Sequence, residues 1–180
     1  MKLKPLTLSD CEQVRQWRNE NLAMLRTLFI LTEEMQAEFY HNVVCNRNAN
    51  ARYWAVAIEE EYPRYAQKDE ITDRLIGMIG IENIQWENKL AEIGLIMSPD
   101  HTDMAEKAIE LILDQAFNYL NLENVFGEVY KCSPCSDVWY GVALVNKGTC
   151  CNLPNRKFWQ GKYYDALFFN INREEWNKHQ

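Results

Sequence analysis

The sequence predicts an α+β domain built around one mixed sheet. Segments in which apolar side chains recur every three or four residues are interspersed with short runs of β-branched and aromatic residues, which indicates helices among strands. The 180 residues are 47% apolar and 12% aromatic but include only 7 Gly and 5 Pro, a composition that supports one large core. We therefore expect a single domain over residues 1–180.

Helices are predicted, in chain order, from capping residues and apolar spacing. The first begins at Ser9-Asp10-Cys11-Glu12, which has the form of a capping box, and the second begins at Thr32, which two glutamates follow. Thr102 or Asp103 can cap the third, which has the strongest pattern, and a shorter fourth helix fits residues 136–145. The apolar stripe of the third helix consists of Ala105, Ala108, Ile109, Ile112, Ala116 and Leu120.

Strands are predicted where short apolar runs are bounded by polar or turn residues. They cover residues 3–6, 53–58, 75–84, 89–97, 125–130, 149–153 and 163–171. The third and fourth of these form an antiparallel pair, because only residues 85–88 separate them. The polar stretch 59–73, interrupted by Pro63, is predicted to be an exposed connection between strands.

Charge and hydropathy exclude several classes of protein. The net charge of −7 and the pI of about 5.1 make nucleic acid an unlikely partner and favour a cationic one. No apolar run approaches the ~20 residues of a membrane-spanning helix, and the first residues do not resemble a signal peptide. We therefore expect a cytoplasmic protein without a membrane partner, whose six cysteines are reduced.

With this order of elements, the chain resembles the GNAT superfamily of acyl-CoA dependent N-acetyltransferases, in particular the branch that acetylates ribosomal-protein N-termini. The resemblance implies a mixed, mostly antiparallel central sheet of about seven strands flanked by about four helices. It runs from about residue 3 to residue 176, and no motif is diagnostic alone. The matching pieces are Trp17-Arg18-Asn19, residues 77–80, residues 91–99, Ala116-Phe117, residues 127–130, residues 161–165 and Glu175-Trp176.

By this resemblance, the strand at 93–97 holds acetyl-CoA through backbone N–H groups, with Ile96 and Met97 nearest the acyl group. Ser133 stands where the family has a cofactor-binding asparagine. Tyr140, seven residues further on, stands where the family has a tyrosine that protonates the leaving thiolate. A tyrosine in a helix can equally be a packing residue, and both interpretations stay open.

Two glutamates are candidates for the base that deprotonates the acceptor amine. Glu92 lies on the strand beside the acyl site and shares a face with Gly94 and Ile96, because side chains alternate along a strand. Glu82, on the preceding strand, is the second candidate. Either glutamate can instead belong to the solvent side of an alternating strand.

The segment that binds the cofactor pyrophosphate departs from the family's Q/R-x-x-G-x-G/A motif. The matching residues are 100–105, of which only Ala105 fits. The resemblance nevertheless assigns cofactor binding to Asp103, Met104 and Ala105, together with Lys107 one turn later.

Asp100 and Asp103 bring two carboxylates to that segment. At ~8 Å and an effective dielectric near 20, repulsion from one diphosphate charge costs roughly 2 kcal/mol, whereas a helix N-terminus gives an anion only ~0.3–1 kcal/mol. Lys107 can form an ion pair with Asp103, which is weak because the pair is exposed. Alternatively, Asp103 caps the helix itself. Acetyl-CoA binding is therefore expected to be weak.

Other motifs carry alternative interpretations. Cys132-Ser133-Pro134-Cys135 has the form of a dithiol redox motif, and with Cys150 and Cys151 it offers four thiols to zinc. Adjacent cysteines are poor joint ligands, and His41, His101 and His179 have no metal-ligand spacing, so we expect reduced thiols and no metal. The basic and aromatic residues at 155–162 form either a solvated hairpin or a contact for substrate or nucleic acid.

The sequence thus predicts an enzyme that transfers an acetyl group from acetyl-CoA to a primary amine of a small molecule, a nucleotide derivative or a protein N-terminus. The alternative is a binding or assembly module that keeps the fold and has lost the cofactor site at Asp100 and Asp103. A minor third interpretation is a nucleotide or nucleic-acid modification enzyme on the same fold. The sequence is compatible with a homo-oligomer.

Overall fold

One seven-stranded sheet organises the protein in the order β1-β2-β3-β4-β5-β7-β6. The computed structural model describes residues 1–26, 28–60, 72–145 and 148–178. Every neighbouring pair of strands is antiparallel except β4 with β5, so the predicted mixed, mostly antiparallel sheet is confirmed. The strands are β1 Lys2–Pro5, β2 Arg52–Glu60, β3 Thr72–Gln85, β4 Leu90–Met97, β5 Asn124–Tyr130, β6 Thr149–Trp159 and β7 Lys162–Asn172.

Among the described residues, five α-helices cover the sheet, one more than predicted. The additional helix, α5, has only five residues and is capped by the Asn172 side chain, a pattern too short to show a helical period. The helices are α1 Leu8–Glu20, α2 Glu33–Phe39, α3 Ala105–Asp114, α4 Ser136–Val145 and α5 Arg173–Asn177. A 3₁₀ turn at Leu22–Met24 follows α1, and π turns at Tyr40–Val44 and Gln115–Tyr119 extend α2 and α3.

The start of α1 corrects the sequence prediction by two residues. The capping box consists of Thr7 and Asp10: the Asp10 N–H donates to the Thr7 hydroxyl at 3.1 Å, and the Thr7 N–H donates to the Asp10 carboxylate at 2.9 Å. Ser9 therefore lies inside the helix. For α2 the prediction is confirmed, because the Met35 N–H donates to the Thr32 hydroxyl at 3.3 Å.

The start of α3 also differs from the prediction. Residues Pro99–Met104 form a 3₁₀ turn, so α3 begins only at Ala105 and its N-cap, Met104, makes no side-chain capping hydrogen bond. The expectation that Thr102 or Asp103 caps this helix is therefore wrong. The proline at the first position of the turn favours an earlier, tighter start.

Each face of the sheet buries its own apolar layer. On one face α1 and α2 cover Ala55 and Met78, and Cys11 and Val14 of α1 are completely buried there. On the other face α3, α4 and α5 cover the larger core, whose bulkiest fully buried side chains are Phe117 and Phe169. Side-chain alternation along β3 and β4 therefore sends successive residues to opposite layers.

The predicted connection 59–73 falls largely outside the described residues, because 61–71 are not among them. Its ends belong to β2 and β3, where Glu60 pairs with Thr72. Within the described residues, no helix combines the length and the apolarity that crossing a bilayer requires.

Gly127 and Gly141 provide a matched pair of glycine-to-alanine substitutions. A β-carbon at Gly127 would lie 2.5 Å from the ring of Phe169, which stacks on Trp139 and is 1% exposed, whereas a β-carbon at Gly141 meets nothing within 4 Å. We expect Gly127→Ala to lower the free energy of unfolding by about 1–3 kcal/mol through overpacking. Gly141→Ala, in the middle of α4, should raise it by about 0.5–1 kcal/mol. Urea unfolding of both variants tests this packing, and equal effects would contradict it.

Candidate active site

The site begins where β4 separates from β5. The two parallel strands pair only over Leu90, Ala91 and Glu92 with Asn124, Val125 and Phe126. Beyond Glu92, β4 continues to Met97 and stays paired with β3, while β5 continues to Tyr130 and stays paired with β7. The sheet is therefore open between two of its central strands.

Backbone groups of β4 face this opening. The Ser98 N–H donates to the Ile76 carbonyl of β3 at 2.8 Å, so alternation along the antiparallel pair directs the N–H groups of Met97 and Leu95 away from β3 and toward the opening. The N–H of Ile96, which lies between them, points to β3. Buried backbone groups need partners, and these groups are available to an extended ligand that enters between the strands.

A cavity of about 330 Å³ occupies the opening. It reaches both faces of the sheet, since it includes residues that contact α1 and α2 as well as residues of α4. Its lining residues are Arg18, Leu25, Arg26, Phe39, Tyr53, Met78, Glu82, Glu92, Ile93, Gly94, Leu95, Ile96, Glu128, Val129, Tyr130, Ser133, Cys135, Trp139 and Phe169.

Two paired glycines, of which Gly94 lines the cavity, leave room on the α1 and α2 face of the sheet. Gly80 of β3 and Gly94 of β4 are cross-strand partners, and Tyr53 of β2 lies opposite Gly80. A β-carbon at Gly80 would lie 2.5 Å from the Tyr53 ring, and one at Gly94 would lie 3.1 Å from Oε1 of Glu82. The glycines therefore allow an aromatic ring and a carboxylate to lie flat over the sheet.

Glu82 is a carboxyl group held in a partly buried position without a cationic partner in contact. Burial raises its pKa, and the nearby charge of Glu92 raises it further, while the Tyr53 hydroxyl and the arginines at 26 and 18 oppose the shift. Among the described residues no salt bridge reaches Glu82 within 4 Å. Burial also raises the pKa of Tyr53, so its hydroxyl stays protonated at neutral pH and able to donate.

Glu92, in contrast, is occupied by other side chains. One oxygen accepts from Arg26, which lies in the loop between α1 and α2, and the other accepts from Asn83 Nδ2 at 2.9 Å. The Glu92 carboxylate raises the pKa of Arg26, so the guanidinium stays charged at any physiological pH. A carboxylate with both oxygens engaged is a poor proton acceptor, which makes Glu82 the better placed of the two predicted bases.

The loop that carries Arg26 is fixed at both ends. At its far end, Asn19 Nδ2 donates to the Leu31 carbonyl at 2.9 Å and the Leu31 N–H donates to Asn19 Oδ1 at 2.9 Å. At its near end, the Nζ of Lys157 donates to the carbonyls of Leu22 and Leu25 and lies 4.8 Å from the centre of the Tyr130 ring. Lys157 is 5% exposed, and burial lowers its pKa.

The basic and aromatic segment at 155–162 lies in the hairpin of β6 and β7, and most of its residues are exposed, as one of its two interpretations expects. Two of its cations are also engaged within the protein. Arg156 donates to both oxygens of Glu128 on β5, at 2.9 and 3.2 Å, and Lys157 is buried below the loop. The segment therefore supports the cavity from the side of β6.

The resemblance assigns Ser133 to cofactor binding and Tyr140 to protonation of the leaving thiolate. Ser133 lines the cavity and Tyr140 does not. Ser133 is buried and accepts a hydrogen bond from the Cys135 N–H at 3.3 Å. Tyr140, in α4, is 48% exposed, while its neighbour Trp139 is buried and reaches the cavity. The phenol therefore lies on the open side of α4.

The segment assigned to the pyrophosphate lies apart from the cavity. Asp100, Asp103 and Lys107 are exposed, and no ion pair joins Asp103 to Lys107 in the part of the chain that the structure describes. Met104 is partly buried and Ala105 is buried. No side chain caps α3, but its first N–H, that of Ala105, donates to the Thr102 carbonyl of the preceding turn, and the two carboxylates lie beside this helix start.

The cysteines show no arrangement for redox or metal chemistry. Each of the six is a free thiol, and burial raises the pKa of Cys135, opposite to the shift that a reactive thiolate needs. No group of three or more His, Cys, Asp or Glu side chains comes together among the described residues, which exclude His179.

The structure thus brings Glu82, Glu92, Ile96 and Ser133 together around one cavity, with Met97 at the end of the same strand. It also adds several lining residues to which the sequence prediction gave no role in the site. These are Arg18, Arg26, Phe39, Tyr53, Tyr130 and Trp139. The only local signal for them was the pair of glycines at 80 and 94, whose missing side chains indicate that something approaches the strands closely.

Comparison with known proteins identifies the family. The family model for the acetyltransferase (GNAT) domain matches residues 1–132. Spermidine N(1)-acetyltransferase from Vibrio cholerae is 25% identical over 155 residues, which cover 74% of this chain and 86% of the relative.

Solved structures show the same fold. The crystal structure of the V. cholerae spermidine N-acetyltransferase in complex with CoA and spermine aligns with a TM-score of 0.76 at 18% identity, over 98% of this chain and 97% of that one. A dodecameric structure of that enzyme aligns with a TM-score of 0.74 at 21% identity, over 99% and 98%. Because the family model spans more than two thirds of the sequence, the chain belongs to the GNAT family of N-acetyltransferases, which use acetyl-CoA to acetylate amines.

Proposed function

We propose that this protein transfers an acetyl group from acetyl-CoA to a primary amine, with Glu82 as the general base. The observation that carries the proposal is the position of the Glu82 carboxylate over Gly94. Gly94 lies two residues before Ile96 on the open strand β4, and Glu82 has no salt-bridge partner among the described residues. A carboxylate with a raised pKa is a stronger base than an exposed one. It accepts a proton from the ammonium group of the acceptor, and the neutral amine then attacks the thioester.

The opening between β4 and β5 supports the assignment of the acetyl donor. The backbone N–H groups of Leu95 and Met97 point into it, and donors of this kind stabilise the negative charge that develops on a thioester oxygen during acyl transfer. The pantetheine arm of acetyl-CoA is extended and rich in amides, so it fits a strand edge with unpaired backbone groups. The start of α3 attracts its phosphates through the positive end of the helix dipole.

Tyr140 is our candidate for the acid that protonates the leaving thiolate. The carbon–sulfur bond breaks as the carbon–nitrogen bond forms, so the thiolate needs one proton when the amine has lost one. The phenol lies on α4, which also contributes Trp139 to the cavity, and its half-exposed position leaves it free to reach a ligand that fills the opening.

The acceptor amine approaches from the face covered by α1 and α2. Phe39, Tyr53, Arg18 and Arg26 border the cavity there, and Glu82 faces the same side. Assembly into a homo-oligomer is also part of this proposal; the dodecameric V. cholerae relative supports it.

We expect Glu82→Gln to lower kcat for acetylation of a primary amine by about 10²-fold, the scale of general base catalysis. The wild-type rate should rise with pH as Glu82 loses its proton, and the variant should lack this limb. The enzyme assay measures thiol release at several pH values. Glu87→Gln, in the exposed turn between β3 and β4, is the charge-matched control and should behave as wild type.

The same variant should be at least as stable as the wild type. Because burial raises the pKa of Glu82 above its unfolded value, the folded protein loses stability as the pH rises through the interval between the two values. Glutamine removes this loss at pH 7. Lower activity together with lower thermal stability would contradict the catalytic role and indicate a packing role.

We expect Tyr140→Phe to lower kcat by about 10²-fold without changing the free energy of unfolding, because the phenol is 48% exposed. Tyr119→Phe is the matched control, since Tyr119 is 70% exposed at the end of the π turn after α3. Equal kcat values for Tyr140→Phe and wild type would remove Tyr140 from the mechanism.

We expect Asp103→Gly to tighten acetyl-CoA binding by up to about tenfold at low ionic strength, with the gain shrinking as salt is added. Calorimetric titration measures both. Asp103→Asn separates the loss of charge from the gain of backbone freedom. If neither the wild type nor these variants bind acetyl-CoA at millimolar concentration, the assignment of the acetyl donor is wrong.

A further inference from the structure

In the motif Trp17-Arg18-Asn19, the contacts among the described residues give a structural role to Trp17 and Asn19 but not to Arg18. Trp17 packs against the apolar layer below α1, and Asn19 holds the loop through its two hydrogen bonds to Leu31. Arg18 lines the cavity instead. No described residue accepts a hydrogen bond from its Nε, which is buried, and no salt bridge to a described residue reaches its guanidinium within 4 Å.

An arginine in this condition is unusual. Removal of a guanidinium from water is unfavourable unless a counter-charge or hydrogen-bond acceptors replace the water. Burial lowers the pKa of Arg18, and among the described residues the charge of Glu82 opposes this shift at longer range. The guanidinium nevertheless stays charged, because arginine is not deprotonated in proteins. The cavity therefore contains one cation whose partner is not part of the described protein.

The other charges of the cavity are already matched. Glu92 is paired with Arg26, and Glu128 is paired with both nitrogens of the Arg156 fork. Only Glu82 and Arg18 are left without a contacting partner of opposite charge among the described residues. The cavity thus offers one carboxylate to a cation and one guanidinium to an anion, within the same enclosed volume.

We propose that the acceptor carries an anionic group, a carboxylate or a phosphate, on the same molecule as its primary amine, and that Arg18 binds this anion while Glu82 receives the amine. The inference rests on the proposed N-acetyltransferase function and specifies its substrate class. Arginine suits this role because its planar fork donates two parallel hydrogen bonds to a carboxylate or a phosphate. A bare polyamine satisfies Glu82 only and brings a second cation toward Arg18.

A series of matched amines tests the proposal without knowledge of the natural acceptor. The series compares ω-amino acids with two to seven methylenes, alkylamines and diaminoalkanes of the same lengths, ω-aminoalkyl phosphates and spermidine. The number of methylenes is varied so that one member of each series spans the distance between Arg18 and the acetyl donor. At the best length, we expect kcat/KM for the anionic tail to exceed that for the neutral tail by at least about tenfold and that for the cationic tail by more. The ratio of carboxylate to phosphate substrates distinguishes the two anions.

Substitution at Arg18 separates binding of the anion from an effect on Glu82. We expect Arg18→Gln to lower kcat/KM for the anionic acceptor by about 30- to 100-fold, mainly through KM, and to lower that for the neutral alkylamine by a much smaller factor. Arg18→Lys should recover part of the preference, because it restores the charge without the fork. Arg47→Gln, an exposed charge-matched control outside the cavity, should leave the preference unchanged.

The outcomes are distinct. If amines are acetylated with equal kcat/KM for anionic, neutral and cationic tail groups, or if spermidine is preferred, the acceptor is not an anionic amine. This inference is then wrong, while the proposed function stands. If Arg18→Gln lowers kcat equally for all tails and shifts the pH profile, Arg18 positions or tunes Glu82 and does not bind the acceptor. If no amine is acetylated, both proposals are wrong.

Discussion

Interruption of the pairing between β4 and β5 is the constraint on which the site depends. A central strand normally finds hydrogen-bond partners on both edges, because buried backbone groups are costly to leave unpaired. Here β4 has a partner on its second edge for only three residues, after which each strand keeps a single neighbour. The opening therefore creates a cavity through the sheet and a row of backbone groups that an extended ligand can pair with. The charged residues of the cavity all lie around this opening.

The charged residues of the cavity differ in how tightly each is held. Glu92 and Glu128 are locked by arginines from distant segments, and each pair combines charge with hydrogen bonds. Glu82 of β3 is the cross-strand partner of Glu92 of β4. Its carboxylate lies over Gly94, which has no side chain, and no described arginine forms a salt bridge with it. This difference favours Glu82 as the proton acceptor that we propose, because burial without a contacting cation raises the pKa of its carboxyl group.

Local patterns predicted most of the elements and the shared face of Glu92, Gly94 and Ile96, since side-chain alternation is a property of neighbouring residues. They failed where two local signals compete: Thr7 with Asp10 and Ser9 with Glu12 both satisfy a capping-box pattern, and only the fold selects the first. They could not predict that Arg26 contacts Glu92, 66 residues away, because no spacing in the sequence records such a contact. The roles of Glu82, Tyr140 and the segment at 100–105 are still predictions that need the experiments above.

The buried amine of Lys157 joins the loop after α1 to a strand 132 residues further along the chain. Contacts of such large sequence separation form only after most of the intervening chain is ordered, since the entropy of closing the loop is lost before the contact stabilises anything. We therefore expect the loop that carries Arg26 to reach its final position late in folding, after the sheet and the larger core. In the native protein it should also open at lower free energy than the core, so that its mobility and the final step of folding have the same physical origin.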